Sequence, residues 1–157
     1  MKAFNRHGAF TYVEVVVVLG MFAIAAYFMV PLSLSGLSST RVSQPASDVT
    51  SLIFSTQQDS FTQKDGSAHG IRFNTSDYDV FIGASYATAT YWDTFELKNT
   101  VTFTDIDLTD IATLTPTNEL VFDRGSMKPN AYGTISLSDG SHTYTVVINQ
   151  EGLVYYE

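Results

Sequence analysis

The sequence predicts an α+β protein in which a long N-terminal transmembrane helix, kinked at Pro31, packs its second half on an antiparallel β-sheet domain. Three observations predict this class. An apolar run without an ionisable side chain covers residues 15–32, and a helical period returns over residues 49–56. From Gly70 onward, apolar residues alternate with polar ones, as they do in strands with one buried face.

The apolar run predicts the first helix. Its 18 residues lie near the lower limit for a helix that crosses a bilayer, and we assign residues 10–34 to this segment. Proline lacks a backbone N–H and clashes with the preceding turn, so Pro31 predicts a kink. Residues 35–47 are mostly small and polar, which predicts a strained or partly melted stretch within an amphipathic continuation over residues 35–66.

Residues 67–157 are predicted to form an antiparallel β domain. The alternating segments 71–73 and 78–82 flank a polar turn, which is typical of a hairpin. Residues 84–100 are ambiguous, although residues 95–97 could form a short strand. Three further segments are separated by glycine-containing turns and predict a meander: residues 133–137, 142–149 and 153–156.

Charge is unevenly distributed along the chain. From Val42 onward there are five basic and fifteen acidic residues, which does not fit a nucleic-acid-binding surface. Lys2 and Arg6 precede the apolar run and favour a cytoplasmic N-terminus. The chain has no cysteine, which excludes disulfides and thiolate chemistry.

Glu14 stands at the start of the apolar run, where a charge is unexpected. A carboxylate at the edge of a bilayer-length apolar segment is costly unless it is paired. If the residues before Phe10 were removed, a new α-amino group would lie four residues from Glu14, one helical turn away. The sequence therefore predicts a partner for this carboxylate. The simpler alternative is that the Glu14 side chain only extends to the bilayer interface, one turn inside the membrane.

The segment Phe10-Thr11-Tyr12-Val13-Glu14 resembles the Phe-Thr-Leu-Ile-Glu motif that begins mature type IV pilins and pseudopilins. A short basic leader over residues 1–9 precedes it, and an apolar helix follows. Pro31 lies seventeen residues after Glu14, where this family commonly has a helix-kinking proline. Tyr12 and Val13 replace the family's Leu and Ile and keep the apolar character.

This resemblance implies cleavage by a prepilin peptidase between Ala9 and Phe10, followed by N-methylation of Phe10. The family usually has glycine before the phenylalanine, whereas this chain has Ala9 there and Gly8 one place earlier. Cleavage between Gly8 and Ala9 is therefore the alternative. The resemblance also implies that Glu14 and Pro31 act in filament assembly.

The C-terminal sequence is similar to GspH/FimT-type minor pseudopilins. The similarity lies in a Phe122-to-Gly125 turn before a strand and in a closing hairpin with Gly152 and Leu153. The resemblance implies a structural subunit of a type IV pilus-like filament, a type II secretion pseudopilus or a DNA-uptake pseudopilus. Its implied partners are other pilins, the prepilin peptidase, the inner-membrane assembly platform and membrane lipid.

The implied location is a single-pass inner-membrane protein with a cytoplasmic N-terminus, its C-terminal domain outside, and later a place in a surface filament or pseudopilus. A rival interpretation takes residues 1–25 as an ordinary secretory signal ending at Ala23-Ile24-Ala25. It would release a secreted or membrane-anchored β-rich binding module. Glu14 argues against it, as does the apolar run beyond Ala25.

Other chemistry is weakly indicated. Asp105, Asp107 and Asp110 are spaced closely enough to be candidate Ca²⁺ ligands, but they lack EF-hand spacing, and solvated loop acids are the preferred interpretation. No nucleophile elbow or phosphate-binding loop is present in the sequence. We therefore expect no enzymatic activity and no resident cofactor.

Overall fold

The computed structural model describes residues 11–98 and 100–157, and within its helix it describes the side chains of residues 12–25 and 42–61. The chain divides into two compact units, Met1–Ser38 and Ser39–Glu157. Helix α1 runs over Tyr12–Phe61 and contributes residues to both units. All of the strands belong to the second unit.

The strands of the second unit form two antiparallel sheets. In chain order they are β1 (His69–Phe73), β2 (Asp77–Ile82), β3 (Tyr91–Glu96), β4 (Thr102–Asp110), β5 (Pro116–Thr117), β6 (Glu119–Phe122), β7 (Ala131–Ser138), β8 (Thr143–Ile148) and β9 (Val154–Tyr156). The first sheet has the order β3-β2-β1-β6, and the second has the order β5-β4-β7-β8-β9.

The part of α1 in the second unit buries one face. Apolar residues recur on it at intervals of four, three and four, which is the helical period, and all are almost fully buried: Val42, Ala46, Val49 and Ile53. Phe54 and Phe61 lie off this face and are exposed. The helix is therefore amphipathic where it meets the core.

The backbone is α-helical throughout residues 35–47, so the predicted partly melted stretch is wrong. Weak helix propensity is overridden here because Val42 and Ala46 are buried in the core. Pro31 also lies within the bounds of α1, but its side chain is outside the described set. The kink at Pro31 therefore stays a prediction.

The hydrophobic core takes side chains from α1 and from both sheets. Phe73 of β1 and Phe103 of β4 meet edge to face with their ring centroids 5.6 Å apart, so an aromatic pair joins the sheets. The largest fully buried side chains include Phe73, Phe81, Phe122, Ile53, Ile71, Leu108, Leu120 and Ile135. Burial of each such side chain contributes about 1.5–3 kcal/mol.

The predicted fold class is wrong. In the part of the chain that the structure describes, there are nine strands in two antiparallel sheets, and no long apolar helix packs on a sheet. The helical side chains in the core belong to an amphipathic stretch after residue 41, whereas the apolar residues 12–25 belong to the other unit. Alternating strands supply most of the core, so the protein is mostly β and fits an α+β description only loosely.

Local strand pairing agrees with the sequence. The predicted hairpin is confirmed by β1 and β2, in which Ile71 faces Val80. The predicted meander is confirmed by β7, β8 and β9, which pair antiparallel in sequence order. These pairings were accessible from the sequence because short turns join neighbouring strands.

Ser60 ties the last turn of α1 to the first sheet. Its buried hydroxyl donates a hydrogen bond to the Phe122 carbonyl at 2.8 Å and accepts one from the His69 N–H at 2.9 Å. The Ser60 carbonyl also accepts a hydrogen bond from the Gly125 N–H at 2.8 Å. One residue thus joins the helix to β1, to β6 and to the turn after β6.

We expect Ser60→Ala to lower the free energy of unfolding by about 2–3 kcal/mol, because it leaves a buried N–H and a buried carbonyl without the hydroxyl. Ser55→Ala is the matched control, since the exposed Ser55 hydroxyl bonds only the Leu52 carbonyl of its own helix. Urea unfolding of the full chain in a neutral detergent, followed by circular dichroism, measures both. Equal costs for the two variants would contradict the anchoring role.

Candidate assembly segment

The first turn of α1 is closed by a reciprocal pair of hydrogen bonds. The Thr11 N–H donates to Oε2 of Glu14 at 3.4 Å, and the Glu14 N–H donates to Oγ1 of Thr11 at 3.3 Å. The Val15 N–H donates to the Thr11 carbonyl at 3.2 Å and begins the helical ladder. This arrangement is a capping box, which satisfies two backbone donors at a helix start.

The capping box gives Glu14 a partner within its own chain. Its carboxylate lies at the positive end of the helix dipole, which favours an anion. Among the described residues, no cation forms an ion pair with Glu14. The hydrogen bonds are long and exposed, so most of the capacity of this carboxylate to accept further bonds is unused.

The residues after Glu14 present apolar side chains to every side of the helix. Val15 to Leu19 are successive residues, more than one helical turn, and each is at least 45% exposed. At Gly20, a Cβ would meet no atom within 4 Å. The large exposed apolar residues of this segment are Tyr12, Val13, Val15, Val16, Val17, Val18, Leu19, Met21, Phe22 and Ile24. We call residues 11–25 the assembly segment.

A helix that is apolar all round is normally buried in its functional setting. A contiguous exposed apolar surface of this kind marks an interaction site for lipid or for another protein. Within residues 11–98 and 100–157, no helix combines the length and the apolarity needed to cross a membrane.

The other predicted residues of this region lie outside the described residues or are described only in part. Gly8, Ala9 and Phe10, which bear on cleavage and methylation, lie outside the described residues, as does the whole leader over residues 1–9. Pro31 is described through its backbone alone. Their predicted roles stay predictions.

The three candidate Ca²⁺ ligands lie on or at the end of β4. Asp105 and Asp107 are exposed, whereas Asp110 closes the following turn by accepting hydrogen bonds from the N–H groups of Thr113 at 2.8 Å and Ala112 at 3.0 Å. The Thr113 backbone hydrogen bond is the main reason that the pKa of Asp110 lies below its usual value. No His, Asp and Glu side chains in the described ranges form a group of three placed to hold a metal ion.

Sequence reasoning missed the role of Thr11. The signal was present, because Thr11 and Glu14 have the spacing of a capping box immediately before an apolar run. The structure thus adds a side-chain partner that the family resemblance does not imply.

A scan against protein-family models finds no match, and searches of curated proteins and of solved structures find none either. The function is therefore inferred from the residues of the chain itself.

Proposed function

We propose that the chain is a minor pilin or pseudopilin, a structural subunit of a type IV pilus-like filament, a type II secretion pseudopilus or a DNA-uptake pseudopilus. The observation that carries the proposal is the assembly segment. It is an exposed helix, apolar on every side, whose one charged side chain is Glu14 at its first turn. Such a surface suits burial among the equivalent segments of neighbouring subunits.

The position of Glu14 supports the same function. Removal of residues 1–9 would leave a positive α-amino group on Phe10, four residues before the carboxylate. In an assembled filament, the amine of one subunit would pair with Glu14 of the next. An unpaired charge in an apolar bundle is costly, so this pair would select one register between subunits.

The proposed partners follow from this role. Other pilins would cover the assembly segment, the prepilin peptidase would remove the leader, and the inner-membrane assembly platform would add the subunit to the filament. Lipid would cover the apolar side chains before assembly. The proposed location is the inner membrane with the globular unit outside, and then the filament. No catalytic role is proposed.

The features of the second unit support a structural role for it. Two of its buried polar side chains hold the fold together: Ser60 joins α1 to β1 and β6, and Gln57 donates to the carbonyls of Met127 and Gly152. Its surface is acidic, which keeps such a domain soluble outside the membrane.

Intact mass of the processed protein tests the proposal. The full chain is produced together with a prepilin peptidase and an N-methyltransferase, and the product is purified from the membrane fraction. We expect loss of residues 1–9 and the gain of one methyl group. Loss of residues 1–8 would move the cleavage site to Gly8 and keep the function.

A secreted or membrane-anchored binding module is the alternative that this experiment separates. Loss of residues 1–25 would support the ordinary secretory signal and overturn the filament proposal. Production of the same chain without the peptidase is the control, because processing at the predicted site requires that enzyme.

A further inference from the structure

An acidic cleft opens at one side of the second unit, between α1, the 3-10 turn Lys64–Gly66 and the strands β2 and β3. Its volume is about 240 Å³. Three carboxylates line it from three different elements: Asp59 of α1, Asp65 of the turn and Asp93 of β3. We call this the acidic cleft.

A buried histidine also lines the acidic cleft. The His69 side chain is only 5% exposed, and neither of its ring nitrogens has a hydrogen-bond partner among the described residues. Its Nε2 atom lies 3.6 Å from Oδ2 of Asp65, too far for a good hydrogen bond. Buried polar groups are rarely left unpaired, because desolvation without a partner is costly. His69 therefore indicates a missing ligand group.

The charged side chains of the cleft indicate the sign of the charge on that ligand group. Lys64 is already engaged, because its Nζ lies 2.8 Å from Oδ2 of Asp59. The same hydrogen bond is the main reason that the pKa of Lys64 is raised. In the described part of the chain, no Lys or Arg forms an ion pair with Asp65 or Asp93. Two carboxylates thus remain for a cation.

The side chains of the described residues do not favour a compact metal ion. Metal ligands must converge to within about 2.0–2.6 Å of one point, and the described residues contain no such group of three. A planar guanidinium has five donors pointing in different directions, so it can reach dispersed acceptors at once. In its neutral form, the His69 ring offers one acceptor nitrogen to such a donor.

Two aromatic side chains complete the lining. Tyr91 and Phe95 of β3 stand on either side of Asp93 in sequence, and both are substantially exposed. Guanidinium groups stack on aromatic faces, where the ring quadrupole attracts the cation. Carboxylates together with aromatic faces are the recognition chemistry of an arginine side chain.

The position of β3 gives a partner access. It is the outer strand of the first sheet, and all six of its residues are exposed. An outer strand offers unpaired backbone groups to an extended segment of another protein. A segment lying along β3 would bring its side chains to the rim of the cleft.

We propose that the acidic cleft binds an arginine side chain of a partner protein. Asp65 and Asp93 pair with the guanidinium, His69 accepts one of its hydrogen bonds, and Tyr91 or Phe95 covers its face. This proposal is independent of the filament function, since it uses neither the assembly segment nor processing of the leader.

Nuclear magnetic resonance of the histidine rings tests the proposal in the full chain, solubilised in a neutral detergent. The probe is N-acetyl-arginine methylamide. The comparison compound is N-acetyl-citrulline methylamide, which has nearly the same shape without the charge. We expect a saturable shift of the His69 ring nitrogens with the arginine probe and at least about tenfold weaker binding of the citrulline compound. His142, outside the cleft, should not shift.

Neutral variants locate the site. We expect Asp93→Asn and Asp65→Asn each to weaken binding of the arginine probe about threefold or more. Asp105→Asn is the matched control, because Asp105 is an exposed strand carboxylate outside the cleft. This variant should bind the arginine probe as tightly as the unmodified chain does.

Three results would overturn the proposal. They are equal binding of the arginine and citrulline compounds, unchanged binding in both cleft variants, and no His69 shift at any soluble concentration of the arginine probe. A His69 shift produced by calcium chloride alone, and not by the arginine probe, would also overturn it in favour of a metal.

Discussion

Gly133→Ala is expected to remove about 4 kcal/mol of stability, among the largest costs of any single substitution. Gly133 lies in β7 with φ at +143°, a conformation that side chains rarely adopt. A Cβ there would come within 1.9 Å of the Asp107 carbonyl oxygen on the paired strand β4. Because that atom is backbone, the pairing of β4 with β7 must shift to relieve the overlap.

Gly140→Ala is the matched control for this prediction. Gly140 also has positive φ, at +87°, but a Cβ there would meet no atom within 4 Å. We expect it to cost only about 1 kcal/mol, from backbone strain alone. Urea unfolding of both full-chain variants in a neutral detergent separates the cost of backbone strain at positive φ from the cost of overlap with the neighbouring strand. If the two costs were the same, close approach of β4 to β7 would not be the reason for glycine at position 133.

Glu14→Gln is expected to leave the leader processed but to reduce incorporation into sheared filaments about a hundredfold, if the chain functions as proposed. Glutamine can take the place of glutamate in a capping box, so the helix start is retained. The negative charge is lost, and the neighbouring amine is left unpaired in an apolar bundle, at a cost of about 3 kcal/mol or more.

Thr11→Ala tests the opposite change, in which the capping hydroxyl is lost and the Glu14 charge is kept. It removes the hydroxyl that accepts the Glu14 N–H, which costs about 1 kcal/mol of helix stability, but it keeps the carboxylate. We therefore expect it to be incorporated nearly normally. Immunoblotting of sheared filaments, with intact mass as the control for processing, measures both variants. Normal incorporation of Glu14→Gln together with loss of Thr11→Ala would assign Glu14 to helix capping instead of subunit pairing.

Pairing between neighbouring strands could be predicted from the sequence, whereas the division into two sheets could not. The hairpin of β1 and β2 follows from local alternation and a polar turn. By contrast, β1 also pairs with β6, where His69 faces Phe122, and no local pattern joins segments so far apart in the chain. The predicted single sheet failed because long-range pairing depends on tertiary packing.

Strand β3 shows why another part of the fold was ambiguous. A period of two in hydrophobicity identifies a strand with one buried face, but Tyr91–Glu96 is exposed on both faces. The pattern of its aromatic residues therefore did not indicate which face of the strand is buried. The acidic cleft shared this difficulty, since His69 and Asp93 come together only through the folded sheet.

Residues of the N-terminal segment were easier to identify from the sequence. Glu14 could be singled out because a charge before an apolar run is chemically conspicuous. Its hydrogen bonds with Thr11 were also encoded locally, within one helical turn. The apolar character of residues 12–25 needs no tertiary information.

The side-chain bonds at the end of α1 have a mechanical consequence. Gln57 reaches the carbonyls of Met127 and Gly152, beside the second sheet, while one turn later Ser60 holds Phe122 of the first. A tensile force applied along α1 would load these bonds in parallel, as shear, and share the stress between the two sheets. Bonds loaded together must break together, so the second unit would resist being pulled apart through its own helix.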